Sequence, residues 1–281
     1  MSRIRINHVT HFTYSGEVTA SYNEVRMLPS STDGQFVIYS NLDISPISSA
    51  HTYVDYWGTK VGAFETLRPH SELSLSAASL VDVQNRRSPQ SDLNWDEMRA
   101  TSLDSVMTVE QLVQTAKTEP PQEVVDIARG IATASATPSQ AALAICWTLG
   151  ERVQYVQGAT DVGSTAAEAW DAQKGVCQDI AHIAIGAIRS VGIPARYVSG
   201  YLHPHAEPTI GETVPGESHA WVEWFSGEWR GFDPTNLVEI GERHVIVGRG
   251  RDYADIAPVR GVYAGSSDSA LEVTVELTRE A

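Results

Sequence analysis

The sequence predicts an α+β protein, because strand-like and helix-like stretches are segregated along the chain rather than alternating. Period-two alternation dominates residues 1–85, helical spacing of apolar residues takes over in the middle of the chain, and alternation returns after Pro194. The pattern divides the chain into a β-rich N-terminal domain over 1–85, a polar linker over 86–106, and a core over 107–281 that ends in a strand.

The first strand is read over residues 3–14, where Ile4, Ile6 and His8 alternate with Arg3, Arg5 and Asn7. Further strands are expected over 23–28, 35–44, 51–56, 60–67 and 72–83. Turn-forming clusters at 29–34, 46–49 and 57–59 separate them. Short strands with frequent turns predict an antiparallel sandwich or barrel. His8, His11, His51 and His70 are scattered through it and read as ordinary sheet or surface residues. The polar run that begins at Gln84 is the expected linker.

Thr108 with Gln111, and Thr165 with Glu168, match the capping box that opens a helix. Helices are expected over 123–134 and 138–156, the second with Thr137 as N-cap and Pro138 in the first turn. Cys146 lies on the apolar stripe of that helix and reads as a small buried hydrophobe. A short helix follows near 165–173. The next runs over 175–192, with Ile180, Ile183, Ala184, Ala187, Ile188 and Val191 on one face. Gly192 and Pro194 stop it. Cys177 falls in its first turn, where unpaired backbone N–H groups and the positive end of the helix dipole lower a thiol pKa.

Beyond Pro194, residues 195–203 read as a strand, and 203–217, rich in Pro, Gly and charge, as a mobile loop. Residues 219–225 and 228–233 read as a hairpin about Ser226-Gly227. A two-residue turn sets Phe225 opposite Glu228 and brings His219 opposite residues 232–234, near Asp233. A last run over 270–277 could close a sheet. The aromatic residues Trp221, Trp224, Trp229 and Phe232 read as hairpin packing, with Trp221 the best placed to reach a site. Asp252, Tyr253 and Asp255 read as a turn that could rim it.

The composition excludes several classes. Net charge is −15, from 20 Lys+Arg against 35 Asp+Glu, which argues against binding along a nucleic-acid backbone. No apolar run is long enough to span a membrane, and residues 1–5 lack the apolar core of an export signal. These features predict a cytoplasmic protein with no membrane partner. The two cysteines, Cys146 and Cys177, form no disulfide framework.

Cys177 opening a helix, His219 opening a strand and Asp233 ending the next make a candidate catalytic set. A thiol needs a base that takes its proton and later returns it. A carboxylate fixes the tautomer and orientation of that base. The rival is a metal site built from His203, His205, His182 and Cys177, but the spacing matches no ligand pattern. No calcium loop of the EF-hand type is present, and no cofactor is expected. His182 lies off the apolar stripe and reads as structural or as support to the site.

Four motifs in order resemble the bacterial transglutaminase-like superfamily: Gly175-Val176-Cys177-Gln178-Asp179-Ile180-Ala181-His182, the run 192–201, Ser218-His219-Ala220-Trp221-Val222-Glu223, and Gly231-Phe232-Asp233-Pro234-Thr235-Asn236. Residues 6–10 and 23–29 resemble the β-rich domain that precedes the core in these proteins, and residues 250–261 their C-terminal signature. The resemblance implies a papain-like, transglutaminase-like core with Cys177 as nucleophile, His219 as base and Asp233 as orienting carboxylate. It implies thiol-dependent acyl transfer on a peptide or glutamine amide, by a transglutaminase, a deamidase or a cysteine peptidase, with a protein or peptide as substrate. It also implies association with a peptide-ligase system and small helical partners. A thioester-dependent acyltransferase and an inactive binding module of the same fold are the alternatives. The backbone N–H of Cys177 is an expected oxyanion donor, and Tyr155, upstream of the cysteine, a candidate second one.

Overall fold

Among the described residues, the alternation of the first 85 is expressed as six strands: β1 (Ser2–Val18), β2 (Ala20–Val25), β3 (Gln35–Ser45), β4 (Ser49–Val54), β5 (Lys60–Thr66) and β6 (His70–Val83). The computed structural model describes residues 1–32, 34–46, 49–85, 92–266 and 268–281. Parts of two expected turns (33, 47 and 48) and of the expected linker (86–91) lie outside the described residues. The rest of the expected linker holds a helix, α1 (Trp95–Leu103), opened by a capping box in which Asn94 and Glu97 bond each other's backbone. Met98 on this helix is fully buried in the helical core. The expectation of a linker to 106 is corrected there.

The helical part continues with α2 (Val106–Val109), α3 (Gln122–Ala134), α4 (Pro138–Gly150), a short strand β7 (Gln154–Tyr155), α5 (Ala166–Ala172), a short strand β8 (Lys174–Gly175) and α6 (Cys177–Ser190). Thr137 caps α4, and Thr165 and Glu168 form the expected box on α5. The box expected at Thr108 does not form. Ser105 caps α2, and the Thr108 hydroxyl donates to the Ser102 and Ser105 carbonyls instead. Helix α4 stops at Gly150, where an added Cβ would meet the Pro234 carbonyl oxygen.

The chain then forms β9 (Ala195–Leu202), β10 (Thr213–Gly216), β11 (Ser218–Phe225), β12 (Trp229–Asp233), β13 (Val238–Glu239), β14 (His244–Gly250), β15 (Val259–Ala264) and β16 (Ser269–Arg279). Among the described residues three main sheets result, in the orders β10-β16-β1-β6-β3, β15-β2-β5-β4 and β13-β12-β11-β9-β14. The third is the sheet of the core, with α6 and α4 packed on it. The other two face each other across Tyr14, Val25, Phe64, Leu73 and Leu75.

Two expectations change with this topology. The stretch 203–217, expected as a loop, contains β10, which pairs with β16. Residues 259–281, assigned by sequence to the core, supply β15 and β16, which pair with β2 and β1. The run expected to close a sheet does so, but in the N-terminal half of the molecule. Ile4, Ile6 and Val81 of the N-terminal strands therefore share one core with Leu277 of β16 and with Tyr201, Val245 and Val247 of β9 and β14.

Polar contacts seal this junction. Tyr201 Oη donates to the Met27 carbonyl at 2.9 Å and accepts from His8 Nδ1 at 2.8 Å. The buried Gln35 amide donates to the Ile246 carbonyl and accepts from the Ile246 N–H, both at 2.8 Å, replacing one rung of a ladder.

Candidate active site

Helix α6 begins without a capping side chain at Val176. Its third residue does the work in reverse: Asp179 Oδ2 accepts the Val176 N–H at 2.8 Å and the Thr160 hydroxyl at 2.6 Å. The Asp179 side chain is wholly buried, and burial pushes its carboxyl up against the effect of those bonds. The turn that delivers Cys177 depends on Gly175. A Cβ there would stand 2.7 Å from both Cβ and Oδ2 of Asp179. Cys177 is left half-buried at the free N–H end of a helix whose next twelve residues are all buried.

The hairpin that brings His219 and Asp233 together has a three-residue loop, not the expected two. Phe225 pairs with Trp229 and Val222 with Phe232, while Gly227 in the loop has φ +99°. The extra residue matters, because a one-residue slip turns a side chain to the opposite face. A two-residue turn would have faced Asp233 with Ala220, on the other side of the strand from His219. In the observed register Asp233 lies across from Trp221, and His219 is its diagonal neighbour on the same face.

His219 Nε2 donates to Asp233 Oδ2 at 2.7 Å. Asn236 Nδ2 donates to the same oxygen at 2.8 Å, and the N–H groups of Thr235 and Asn236 fill Oδ1 at 2.9 and 3.1 Å. Cys177 lies near enough to the ring to raise its pKa. Burial alone would lower the His219 pKa, but the bond to Asp233 and the nearby Cys177 outweigh it and push it up to about 10. Burial likewise works to raise the Asp233 carboxyl. The His219, His244 and Asn236 contacts reverse that and hold it well below the usual carboxylate range. The structure thus hydrogen-bonds two of the sequence-predicted residues, His219 and Asp233, and sets the third, Cys177, close to the ring.

A cleft of about 720 Å³ opens beside His219, lined among others by Tyr155, Pro204, Glu217, Asn236 and Arg243. Tyr155 Oη donates to Glu217 Oε2 at 3.3 Å, and Gln157 Nε2 to Glu217 Oε1 at 2.5 Å. Burial, Cys177 and Glu217 push the Tyr155 phenol up to about 12, so it stays a neutral donor. Its hydroxyl is spent on Glu217 here.

Other candidates fall elsewhere. His182 is fully buried, accepts the Tyr253 N–H at 3.1 Å, and is pushed down to about 3, chiefly by burial. His203 accepts the His205 N–H, and among the described residues no group of three or more His, Cys, Asp or Glu is arranged to hold a metal ion. Cys146 is buried, and burial raises its thiol. Trp224 bonds Ser139, Arg196 lies over Trp229 at 3.7 Å, and Phe232 packs on Trp147, as packing residues would. Asp252 caps a short turn of helix at Tyr253–Asp255, and Asp255 pairs with Arg251. Sequence reasoning singled out neither Asp179, Asn236 nor His244. An acidic residue two places after the nucleophile was a readable signal for the first. His244 carried no local signal, because it arrives through long-range topology.

A cysteine at a buried helix start, a histidine and aspartate on an adjoining antiparallel sheet, and helices packed on that sheet define a transglutaminase-like core. Residues 125–234 match the transglutaminase-like superfamily, and residues 4–82 match the bacterial transglutaminase-like N-terminal region. An uncharacterized protein of Mycobacterium leprae is 40% identical over 99% of both chains. One from Mycobacterium tuberculosis is 32% identical over 98% of this chain and 92% of its own. The chain belongs to the bacterial transglutaminase-like superfamily. Its fold is shared by a crystallised Cytophaga hutchinsonii protein provisionally called a cysteine protease, with a TM-score of 0.80 and 21% identity over 100% of this chain and 91% of that one.

Proposed function

We propose that the protein is a thiol-dependent acyl-transfer enzyme acting on a peptide bond or a glutamine side-chain amide, with Cys177, His219 and Asp233 as its catalytic triad. The observation that carries the reading is the His219 ring hydrogen-bonded to the buried Asp233 carboxylate, with the Cys177 thiol close to the same ring. His219 holds the proton given up by Cys177 as Sγ bonds to the amide carbonyl carbon. It then gives that proton to the departing nitrogen as the C–N bond breaks. Ammonia or an amine leaves, and a thioester remains on Cys177. Water or a primary amine, deprotonated by His219, attacks the thioester and releases an acid or a new amide.

Asp233 keeps the Nε2–H tautomer of His219 and stabilises the imidazolium between these steps. The Cys177 backbone N–H faces the oxyanion, a contribution on the order of 3 kcal/mol per donor. The cleft beside His219 has the size expected for a peptide side chain and its neighbours.

Mass spectrometry of a glutamine-containing peptide library, with and without a primary amine, tests the proposal and separates its branches. Amine incorporation with loss of ammonia means transglutamination, an amide-to-acid change means deamidation, and new termini mean peptide cleavage. The reading predicts one of these with the wild type and none with Cys177→Ala. No change with the wild type, or the same change with the variant, overturns it.

A further inference from the structure

Asp233 is met by a second imidazole. His244, the first residue of β14, is 2% exposed, and its Nε2 stands 3.6 Å from Asp233 Oδ2, the oxygen that also accepts from His219. Its tautomer follows from its other nitrogen. The Gly241 N–H donates to His244 Nδ1 at 3.2 Å, so Nδ1 carries the lone pair and Nε2 the hydrogen. That Nε2–H is buried, and no acceptor within hydrogen-bond distance is found for it among the described residues. Asp233 is the carboxylate it faces. A buried N–H left unmade is expensive, which draws it toward that carboxylate.

The rings around it close the arrangement. His244 stands edge-on to Trp221 at 5.3 Å and 74°, and Trp221 lies tilted against His219 at 6.1 Å and 32°. Trp221 is itself wholly buried, and its ring crowds Gly200 so closely that a Cβ there would be 2.7 Å from it. The indole is therefore a fixed spacer between the two imidazoles. The titratable and charged groups that face His244 are Asp233 and His219 across the sheet and Arg243 beside it in the chain. Burial, the largest influence, lowers its pKa and keeps the ring neutral.

We propose that His244 is a positioning residue of the site, a neutral Nε2–H donor that holds Asp233 Oδ2 toward His219 and limits how tightly Asp233 draws the His219 proton. The inference rests on the proposed triad. It assigns His244 no contact with substrate. Its effect passes through the carboxylate: a donor on Oδ2 spreads the charge that would otherwise be concentrated on the His219 bond.

The test reads the pH dependence of Cys177 alkylation by iodoacetamide, quantified at that residue by mass spectrometry, so no substrate need be known. In the wild type an upper limb marks loss of the His219 imidazolium proton. His244→Leu removes the donor, and the upper limb moves to higher pH by on the order of half a unit. His244→Gln, which keeps an amide N–H near the Nε2 position, restores the wild-type limb. A limb that stays in place in His244→Leu, or moves equally in both variants, overturns the proposal. A wild-type profile with no dependence on His219 overturns the triad instead, which separates the two failures. The tautomer is read without any substitution, from histidine-labelled ¹⁵N spectra of the whole protein. Hydrogen on His244 Nε2 across the neutral range is expected, and hydrogen on Nδ1 overturns the proposal even if His244→Leu fails to fold.

Discussion

Asp233 is fully buried, yet it keeps its charge, because the N–H groups of one turn and two imidazoles surround it. Asp233→Asn retains much of the shape and loses the charge. The proposed mechanism then predicts a fall in kcat of at least about a hundredfold, with KM little changed, because the imidazolium is no longer stabilised. Linkage gives the same residue a stability signature. The Asp233 carboxyl is held below its ordinary 3.8, so its contribution is present above that value and lost as pH falls. The His219 pKa is raised from 6.5 to about 10, so its contribution is complete below 6.5 and lost as pH rises through about 10. The destabilisation by Asp233→Asn is therefore expected to be largest between 3.8 and 6.5 and to shrink on both sides. Melting temperatures of both proteins across pH check this, and a constant difference contradicts it. The candidate set of Cys177, His219 and Asp233 was legible in the sequence because a helix start and two neighbouring strands mark the three positions. His244 was not, since nothing near it in the chain marks it.

At the scale of elements, the helix carrying Cys177 was legible in place and direction but not in depth. Its apolar stripe suggested one wet face, yet residues Gln178–Arg189 are all buried. The polar members survive burial because they are bonded. The Arg189 guanidinium donates to the carbonyls of Gln111, Ala195 and Arg251 and to the Thr118 hydroxyl. Arg189→Met would leave those carbonyls without their donor, and a loss of about 3 kcal/mol or more in denaturant unfolding is expected. The start of the helix is the more delicate end. Gly175→Ala places a methyl 2.7 Å from Asp179, so the carboxylate must move off the Val176 N–H. The expected cost is about 1–3 kcal/mol, with a slower alkylation of Cys177 than in the wild type. An unchanged alkylation rate would mean that the turn tolerates the shift. The hairpin teaches a related lesson. Alternation located both strands, but the count of loop residues decides which face Asp233 shares, and Ser226-Gly227 alone did not reveal that Glu228 belongs to the loop.

Over the whole molecule, alternation told which residues were strand and which faces were apolar. It could not tell which strand pairs with which, because partners are chosen by packing across the full chain. That is why β10 was read as loop and β15 and β16 as parts of the core: they join sheets founded by β1 and β2. The pairing fuses the two halves through one apolar cluster and through the His8–Tyr201–Met27 bonds. A single cooperative unfolding transition is expected in calorimetry, and two separable transitions would contradict it. His8 in the junction and His182 in the core should also make the molecule acid-sensitive. Burial lowers the His8 pKa from 6.5 to about 4 and, as the largest influence, that of His182 to about 3. Between 6.5 and those values the unfolded chain binds protons that the folded chain refuses, so stability falls as pH falls. Each residue contributes a slope of at most about 1.4 kcal/mol per pH unit. His8→Asn keeps a donor near the Nδ1 position for Tyr201 but cannot titrate. Its unfolding free energy is expected to decline less steeply than that of the wild type between pH 6.5 and about 4, and to run parallel to it below. Equal slopes above that point would show that the junction is not where acid enters.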